Sequence, residues 1–390
     1  MGNVVLLGLV SFFSDVSAEM VYPLIPLYLT AVLGGTPELV GIIEGIAESL
    51  ASLLKVWSGY ISDRYRHKKP IAFIGYATGF LYKLALLAAT SWGGILAARV
   101  IDRVGKGIRT APRDVLVSES AKESGMGKAF GIHKALDMAG SALGILIAYF
   151  LVRNAGGCWE YKRIFIVSMI PAVFGLAVLL LVKEKSSPAA PKERLPLLER
   201  ARELDANLKL YLLVAFLFTL GNSSNAFLLL KAKSVGFTDT NVVLLYFLYN
   251  LSAAVLSIPF GRLSDKIGRK KLLVAGYLTF SAVYLCFAFV TSSTAMIFAF
   301  ILYGFYTAMT AGVERAFIAE IAPADLKGTM LGLDATIVGI ALLPASVIAG
   351  WLWKTFGSRA PFLFGSLLSL AAAMILLALL GRMAGKTKSE

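Results

Sequence analysis

Charged residues are scarce in this 390-residue chain, at 16% of the total, whereas hydrophobic residues make up 57%. Soluble domains hold about 45–50% apolar residues with glycine included, and about 25% charged ones. Disorder is excluded by the same comparison, because disordered chains are poor in hydrophobic residues. A soluble enzyme with one membrane anchor is excluded because the long apolar runs leave too little chain for a soluble domain. An outer-membrane barrel is disfavoured, because its strands alternate apolar and polar residues.

Cysteine is nearly absent, since Cys158 and Cys286 are the two in the chain. One is predicted in an external loop and the other inside a helix, so neither a disulfide framework nor a thiolate metal site is available, and we expect no metal and no cofactor. The pattern G-x-x-x-x-G-K-[ST] does not occur, which argues against direct use of ATP.

Apolar runs between charged or turn-forming clusters predict twelve transmembrane helices. The first six are expected at 4–33, 37–61, 70–90, 93–117, 129–152 and 164–182. The other six are expected at 210–230, 242–263, 272–290, 294–320, 330–353 and 362–380. The predicted fold is an all-α polytopic membrane protein with an N-terminal six-helix bundle (1–182), a cytoplasmic linker (183–209) and a C-terminal bundle (210–390). Leucines in the linker predict a short amphipathic helix on the membrane surface.

Positive charge predicts the orientation in the membrane. The chain carries 38 Lys and Arg against 24 Asp and Glu, a net charge of +14. Loops on the linker's side hold about 22 of the basic residues, and the opposite loops hold 7. Because cytoplasmic loops are the basic ones, we expect the linker and both termini in the cytoplasm and no binding of nucleic acid.

An internal repeat divides the chain into two halves. The segment G-Y-I-S-D-R at 59–64 returns as G-R-L-S-D-K at 261–266, an offset of 202 residues. The same offset, within one residue, aligns Arg113 and Asp114 with Glu314 and Arg315. Two parallel six-helix halves with a binding site at the midplane are the design of one large class of transporters.

These motifs resemble the major facilitator superfamily, whose loop signature reads G-x-L-[AS]-D-R-x-G-R-[RK]-x-[RK]. The second copy is nearly complete, and the first departs from it at Ile61 and Arg66. The matching residues are Gly59, Asp63 and Arg64 in the first copy and Gly261, Asp265, Lys266, Gly268 and Arg269 in the second. The run R-V-G-K-G at 103–107 is similar to the family's R-x-x-Q-G element, which implies a role for Arg103 in ion coupling. The resemblance implies a monomeric secondary transporter in a prokaryotic inner or plasma membrane.

The loop aspartates Asp63 and Asp265 suggest a cytoplasmic latch between the halves, because each carboxylate sits at a helix end among basic residues. Expected partners near the same membrane face are Arg113, Asp114, Glu314 and Arg315. The alternative is a solvated cap at each helix end.

Four acidic residues in the first two spans are candidates for proton coupling. Asp15 and Glu19 lie one turn apart on the face that leads to Tyr22, and Glu44 and Glu48 repeat the spacing in span two. Acids in a span face a cavity or a partner, and desolvation favours their protonation. The alternative is a set of permanent salt bridges with Lys55, Lys83 or Arg103. Prolines 23 and 26 predict a bend below Asp15, whose counterpart in span seven is assigned to Asn222.

Span four carries a polar stripe at helical spacing, which must face away from lipid. Its members are Arg99, Asp102, Arg103, Lys106, Arg109 and Arg113. Such a stripe favours an anionic group, since arginine binds carboxylate or phosphate with a planar fork. The alternative assigns Arg109 and Arg113 to the latch and leaves Arg99 to Lys106 at the cavity.

His133 and Asp137 form H-x-x-x-D, a spacing that some acyltransferases use for base catalysis. Because Lys134 flanks them and no second nucleophilic cluster exists, we interpret them as a polar cavity face. Gly140 and Gly144 predict close helix packing.

The predicted function is movement of a small organic solute by alternating access, with export by proton antiport as the leading hypothesis. The alternative within the class is uptake or facilitated passage of an anionic metabolite. Drug-exporting members of the resembled family carry a Gly-Pro-containing element in span five. The candidate stretch here, 137–144, has glycines but no proline, which counts against an exporter. Rivals of other classes are a membrane-embedded acyltransferase and a sensor that has lost flux. The expected partners are a small-molecule substrate, protons and the lipid bilayer.

Overall fold

The computed structural model describes residues 2–64, 68–120, 126–153, 158–184, 206–321 and 327–386. These residues form fifteen α-helices and a 3₁₀ turn at Tyr22–Leu24. In chain order the helices are α1 Gly2–Glu19, α2 Ile25–Ala31, α3 Pro37–Arg64, α4 Lys69–Ala88, α5 Trp92–Glu119, α6 Met126–Arg153, α7 Cys158–Leu181, α8 Ala206–Gly221, α9 Ala226–Ser234, α10 Asp239–Ile267, α11 Arg269–Phe289, α12 Ser293–Thr310, α13 Val313–Ile321, α14 Lys327–Phe356 and α15 Ala360–Lys386.

The prediction of twelve spans is confirmed. The fifteen helices make up twelve spans, because three spans are broken into two helices each: α1 with α2, α8 with α9, and α12 with α13. Within the described ranges, ten helical stretches are long and apolar enough to cross a membrane. The other two spans, α3 and α5, are 28 residues long but carry too many acidic and basic residues in the middle to pass as apolar. Charge inside this membrane protein is thus concentrated on two neighbouring helices.

The first span of each half is interrupted, and the two interruptions have different causes. In the first half, α1 stops at Glu19. Pro23 and Pro26 are the second residues of the 3₁₀ turn and of α2, within the first turn, where a missing N–H is tolerated. In the second half, α8 stops at Gly221 and the break consists of Asn-Ser-Ser-Asn at 222–225. Asn222 therefore lies at the break, at the level of Met20, and its assignment as the counterpart of Asp15 is wrong.

Some helix ends differ from the predicted ones. The helix α7 begins at Cys158, six residues before the predicted start at 164, so Cys158 is a helix residue and not a loop residue. The extension contains Glu160, Lys162 and Arg163, which are good helix formers but break the apolar run on which the prediction depended. The linker residues 185–205, including the predicted surface helix, lie outside the described residues.

The described helices form two compact units, residues 1–193 with 238–247, and residues 194–237 with 248–390. Inside the first unit, α1 packs on α6 and α7, and α4 packs on α5 and α7. Inside the second, the equivalent helix α8 packs on α14 and α15, and α11 packs on α12 and α15. The sequence repeat therefore corresponds to one packing scheme used twice.

Candidate functional site

Arg99 and Glu44 form a buried ion pair in the first unit. The arginine is 1% exposed, and its Nε and Nη2 donate to the two carboxylate oxygens of Glu44 at 2.9 and 2.7 Å. Two parallel bonds of this kind are the strongest geometry that arginine offers a carboxylate. The pair joins α5 to α3 across the interior of the unit.

Three further side chains extend this pair into a charge network, defined as Glu44, Glu48, Arg99, Asp102 and Arg103. Arg103 Nη2 lies 2.7 Å from Glu48 Oε1. Asp102 Oδ2 lies 3.5 Å from Arg99 and 3.7 Å from Arg103, which are ion-pair distances but too long for hydrogen bonds. The buried Nε of Arg103 has no hydrogen-bond partner among the described residues.

Glycines let α5 come close enough to its neighbours for these contacts. A Cβ on Gly105 would lie 1.5 Å from Thr78 Oγ1 of α4, and a Cβ on Gly107 would lie 2.5 Å from Leu54 Cβ of α3. Neither position tolerates a side chain. The R-V-G-K-G element therefore places α5 tightly between α3 and α4. Arg103 at its start and Arg99 one turn earlier reach the glutamates of α3.

The network largely neutralises the predicted basic stripe. Arg99 and Arg103 face three carboxylates, while Lys106 further along α5 is exposed. Arg109 lies over the ring of Tyr76 at 4.5 Å and is 7% exposed. The arginine side chains are thus held by acids and by an aromatic ring of their own unit.

Asp15 and Asp137 lie together on α1 and α6, and their carboxyl groups hydrogen-bond to each other. Two carboxyl groups can do so when one of them carries a proton. Asp137 also accepts from Lys134 Nζ at 2.7 Å, which stabilises its charged form. A proton shared by the pair would therefore sit on Asp15.

Two glycines of α6 allow α1 and α6 to approach closely, as predicted. A Cβ on Gly140 would lie 2.3 Å from the carbonyl oxygen of Phe12, and one on Gly144 would lie 2.5 Å from that of Val16. Asp137 is one turn before Gly140, and Asp15 lies between Phe12 and Val16. The glycine pair thus sets the helix separation at which the two carboxyls meet.

Glu19 and Tyr22 lie at the end of α1, near the charge network. Tyr246, in the stretch 238–247 that groups with the first unit, donates its hydroxyl to Glu19 Oε2 at 3.2 Å. The Tyr22 ring lies 5.3 Å from the Arg99 guanidinium and 5.9 Å from that of Arg103. Glu19 has no ion pair within 4 Å among the described residues, unlike Glu44 and Glu48.

His133 binds a serine that the sequence did not single out. Its Nε2 lies 2.8 Å from Ser11 Oγ, and both residues are buried. Ser11 in turn lies 3.4 Å from the hydroxyl of Tyr76, so α1, α4 and α6 share one polar chain. A hydroxyl one turn before Asp15 on the same face was the available signal for this contact.

The predicted latch residues are described in part. The described part of the chain does not include the surroundings of five of them: Gly59 and the side chains of Asp63, Arg64, Asp265 and Arg315. Arg113 binds its neighbour Asp114 with Nε and Nη2 at 3.0 and 2.8 Å, and Glu314 accepts from the Tyr277 hydroxyl at 3.2 Å. Lys266 lies exposed in the last turn of α10, Gly268 turns the chain with φ 93°, and Arg269 begins α11. No neighbour lies within 4 Å of a Cβ built on Gly261.

The interior of the second unit is aromatic where that of the first is charged. Phe218 stacks on Tyr277 at 3.9 Å, and Phe280 stacks on Tyr284 at the same distance. The break at 222–225 is tied to this cluster, because Asn222 Nδ2 donates to Tyr306 at 3.0 Å and Tyr303 donates to Asn225 at 2.8 Å. Among the described residues, no group of three or more His, Cys, Asp or Glu is arranged to hold a metal ion.

Comparisons with known proteins agree with this architecture. A family model described as Major Facilitator Superfamily matches residues 7–229 and 211–390. An MFS-type transporter of Methanocaldococcus jannaschii is 38% identical over 381 residues, covering 96% of this chain and 94% of that protein. Multidrug resistance protein 2 of Bacillus subtilis is 30% identical over 121 residues, 31% of this chain and 30% of that protein.

Solved structures extend the agreement to the fold. The nucleoside transporter NupG superposes with a TM-score of 0.82 at 11% identity, covering 97% of this chain and 99% of NupG. The number of helices, the internal repeat, the family model and the relatives all indicate the same family. The chain belongs to the Major Facilitator Superfamily, a family of membrane transporters and not an enzyme class.

Proposed function

We propose that this protein exports small organic compounds by alternating access, driven by protons that enter as cargo leaves. The Asp15 and Asp137 carboxyl pair carries this proposal. Removing its proton would leave two carboxylates in contact, which repel each other. Loss of the proton therefore favours separation of α1 and α6, and gain of the proton favours their contact. A pair of this kind links protonation to helix position.

Glu19 is the second candidate, because it has a tyrosine hydroxyl but no ion pair among the described residues. Glu44 and Glu48 fit the alternative of permanent salt bridges, since each binds an arginine at 2.7 Å. We therefore assign coupling to the acids of the first span, with Asp137 as the partner of Asp15. The charge network then fixes the packing of α3 and α5 while the carboxyl pair titrates.

The aromatic cluster of the second unit favours a cargo with a flat or apolar surface, because ring faces bind aromatic groups and organic cations. The partial likeness to a multidrug resistance protein supports export of such compounds. Uptake of an anionic metabolite is less well supported, because Arg99 and Arg103 are already held by carboxylates. The cytoplasmic latch, the cytoplasmic termini, the monomeric state and a prokaryotic plasma membrane remain parts of the proposal.

The test uses purified protein in lipid vesicles with an imposed pH gradient and ethidium, a planar organic cation, as the probe. We expect the wild-type protein to accumulate ethidium against its gradient. Asp15→Asn should abolish accumulation, because the amide cannot release a proton, while ethidium still equilibrates across the membrane. The matched control is Glu38→Gln, an acid in the first turn of α3 away from the carboxyl pair, which should accumulate normally.

The outcomes separate the alternatives. Full accumulation by Asp15→Asn and by Asp137→Asn would reject coupling through this pair. Transport that ignores the pH gradient in the wild type would favour facilitated passage. Accumulation of an organic anion such as benzoate in place of ethidium would favour the anionic alternative.

A further inference from the structure

Lys83 is a buried cation that the proposed function leaves without a role. It lies on α4 and is 2% exposed. Among the described residues its ammonium makes no hydrogen bond and no ion pair, and its side chain contacts the ring of Tyr82, 5.0 Å from Nζ. A buried ammonium without a partner is costly, so its surroundings must either supply a partner or let it lose its charge.

A small cavity lies at the end of this side chain. Its volume is about 10 Å³, which is room for one water molecule. The polar groups around it come from three helices: Ser14 and Ser17 of α1, Tyr76 and Lys83 of α4, and Asp102 and Arg109 of α5. The helix α7 completes the lining with Ala172 and Gly175, which carry no charge. A water in this cavity would have several polar partners.

Charges on α5 act on Lys83 from across the cavity, where Asp102 attracts the ammonium and Arg109 repels it. Asp15 of α1, outside the lining, adds to the attraction only when it is ionised. Asp102 is the member of the charge network that makes no hydrogen bond among the described residues, so its carboxylate can accept one. The network alone holds two arginines against three carboxylates, and a charged Lys83 makes the set neutral.

We propose that Lys83 is a second proton-carrying site of the first unit, joined to Asp102 through one water in this cavity. In the step, an N–H bond of the ammonium breaks as the cavity water takes the proton and passes it to the aqueous phase, while the Asp102 carboxylate holds that water in place. The products are a neutral amine and a hydrated proton, so atoms and charge balance and no other reactant is needed. The proposal rests on proton coupling of the proposed function, but its test does not involve transport.

The test measures unfolding of purified protein in detergent between pH 6 and pH 9 for the wild type and Lys83→Met. An unfolded lysine keeps its proton over this range, since its pKa is about 10.4. Any pH dependence of the difference between the two proteins therefore reports a change at Lys83 in the folded state. We expect the ratio of their unfolding equilibrium constants to change by up to tenfold per pH unit over part of this range.

Two more variants keep the test decisive. Asp102→Asn removes the negative charge that attracts the ammonium and should shift the pH at which the change occurs, and it serves in place of Lys83→Met if that variant does not fold. Lys55→Met, at an exposed lysine of α3, is the matched control and should show a constant ratio. The proposal would be overturned if the ratio of unfolding equilibrium constants of wild type and Lys83→Met stayed constant with pH. It would also be overturned if Asp102→Asn showed the same pH dependence of unfolding as the wild type. Because no cargo is present, failure of the Asp15 experiment leaves this result unaffected.

Discussion

Arg99→Met should be one of the most destabilising substitutions in the first unit. The change removes two hydrogen bonds, of 2.9 and 2.7 Å, and leaves the Glu44 carboxylate at 3% exposure without its main countercharge. Removing one partner of a buried ion pair costs about 3–5 kcal/mol, because the remaining charge is poorly solvated. We expect a loss of that size in the free energy of unfolding.

The neighbouring pair gives a graded comparison within the same network. Glu48 is 32% exposed, so water can replace part of what Arg103 provides. Arg103→Met should therefore cost less, about 1.5–3 kcal/mol, the range for a hydrogen bond to a charged group. The double variant Arg99→Met with Glu44→Leu should recover most of the loss of Arg99→Met, since apolar side chains of similar size often replace a buried pair without cost.

The assay is unfolding of the purified protein in mixed micelles by SDS titration, with the four proteins of the Arg99 and Glu44 cycle measured side by side. A coupling energy of several kcal/mol is expected between the two substitutions. If their effects simply add to within about 0.5 kcal/mol, the two side chains do not act as a pair and the reasoning fails.

Two further predictions concern helix packing and topology. Gly140→Val places a side chain against the Phe12 carbonyl, 2.3 Å from where its Cβ would lie, so it should lower stability by about 1–3 kcal/mol and uncouple ethidium accumulation from the pH gradient. Gly93→Val, at an exposed position of α5 where a Cβ would meet only Ser91 Oγ at 3.9 Å, is its control, and equal behaviour of the two would contradict the close approach of α1 and α6. An impermeant thiol reagent should label Cys158 in intact cells and leave Cys286 of α11 unmodified. Labelling of Cys158 only in opened membranes would invert the predicted orientation.

Sequence patterns predicted which residues avoid lipid, but not which of them meet. The spacing of Glu44 and Glu48, and of Arg99 and Arg103, placed each pair on one helix face. That Glu44 binds Arg99 depends on α3 packing on α5, and helical periodicity says nothing about which helices are neighbours. The contact between Asp15 and Asp137 joins positions 122 residues apart in the sequence, and the sequence patterns miss it for the same reason.

Helix breaks show a similar limit. The first break was predicted from Pro23 and Pro26, because proline removes a backbone donor. The second contains no proline, and an apolar run with Asn and Ser in it still reads as one span. The repeat offset held the missing information: α1 ends at Glu19 and α8 ends at Gly221, 202 residues apart. Applied to helix ends as well as to loop motifs, it would have placed Asn222 correctly.

The same offset shows how one packing scheme carries two kinds of interior. Seven charged residues inside the first unit correspond, 202 residues later, to uncharged residues in the second half of the chain. Asp15, Glu44, Lys83, Arg99, Asp102, Arg103 and Asp137 correspond to Leu217, Tyr246, Leu285, Ile301, Gly304, Phe305 and Gly339. Four helix contacts of the first unit, α1 with α6 and α7 and α4 with α5 and α7, have an equivalent in the second unit. At Gly304, the equivalent of Asp102, a Cβ would lie 2.5 Å from Ser252 Cβ of α10. Charge at these positions is therefore not required for the helix contacts that the two units share. Buried charge is costly in a membrane, so the first unit tolerates its charge network only because Glu44, Glu48 and Asp102 face Arg99 and Arg103.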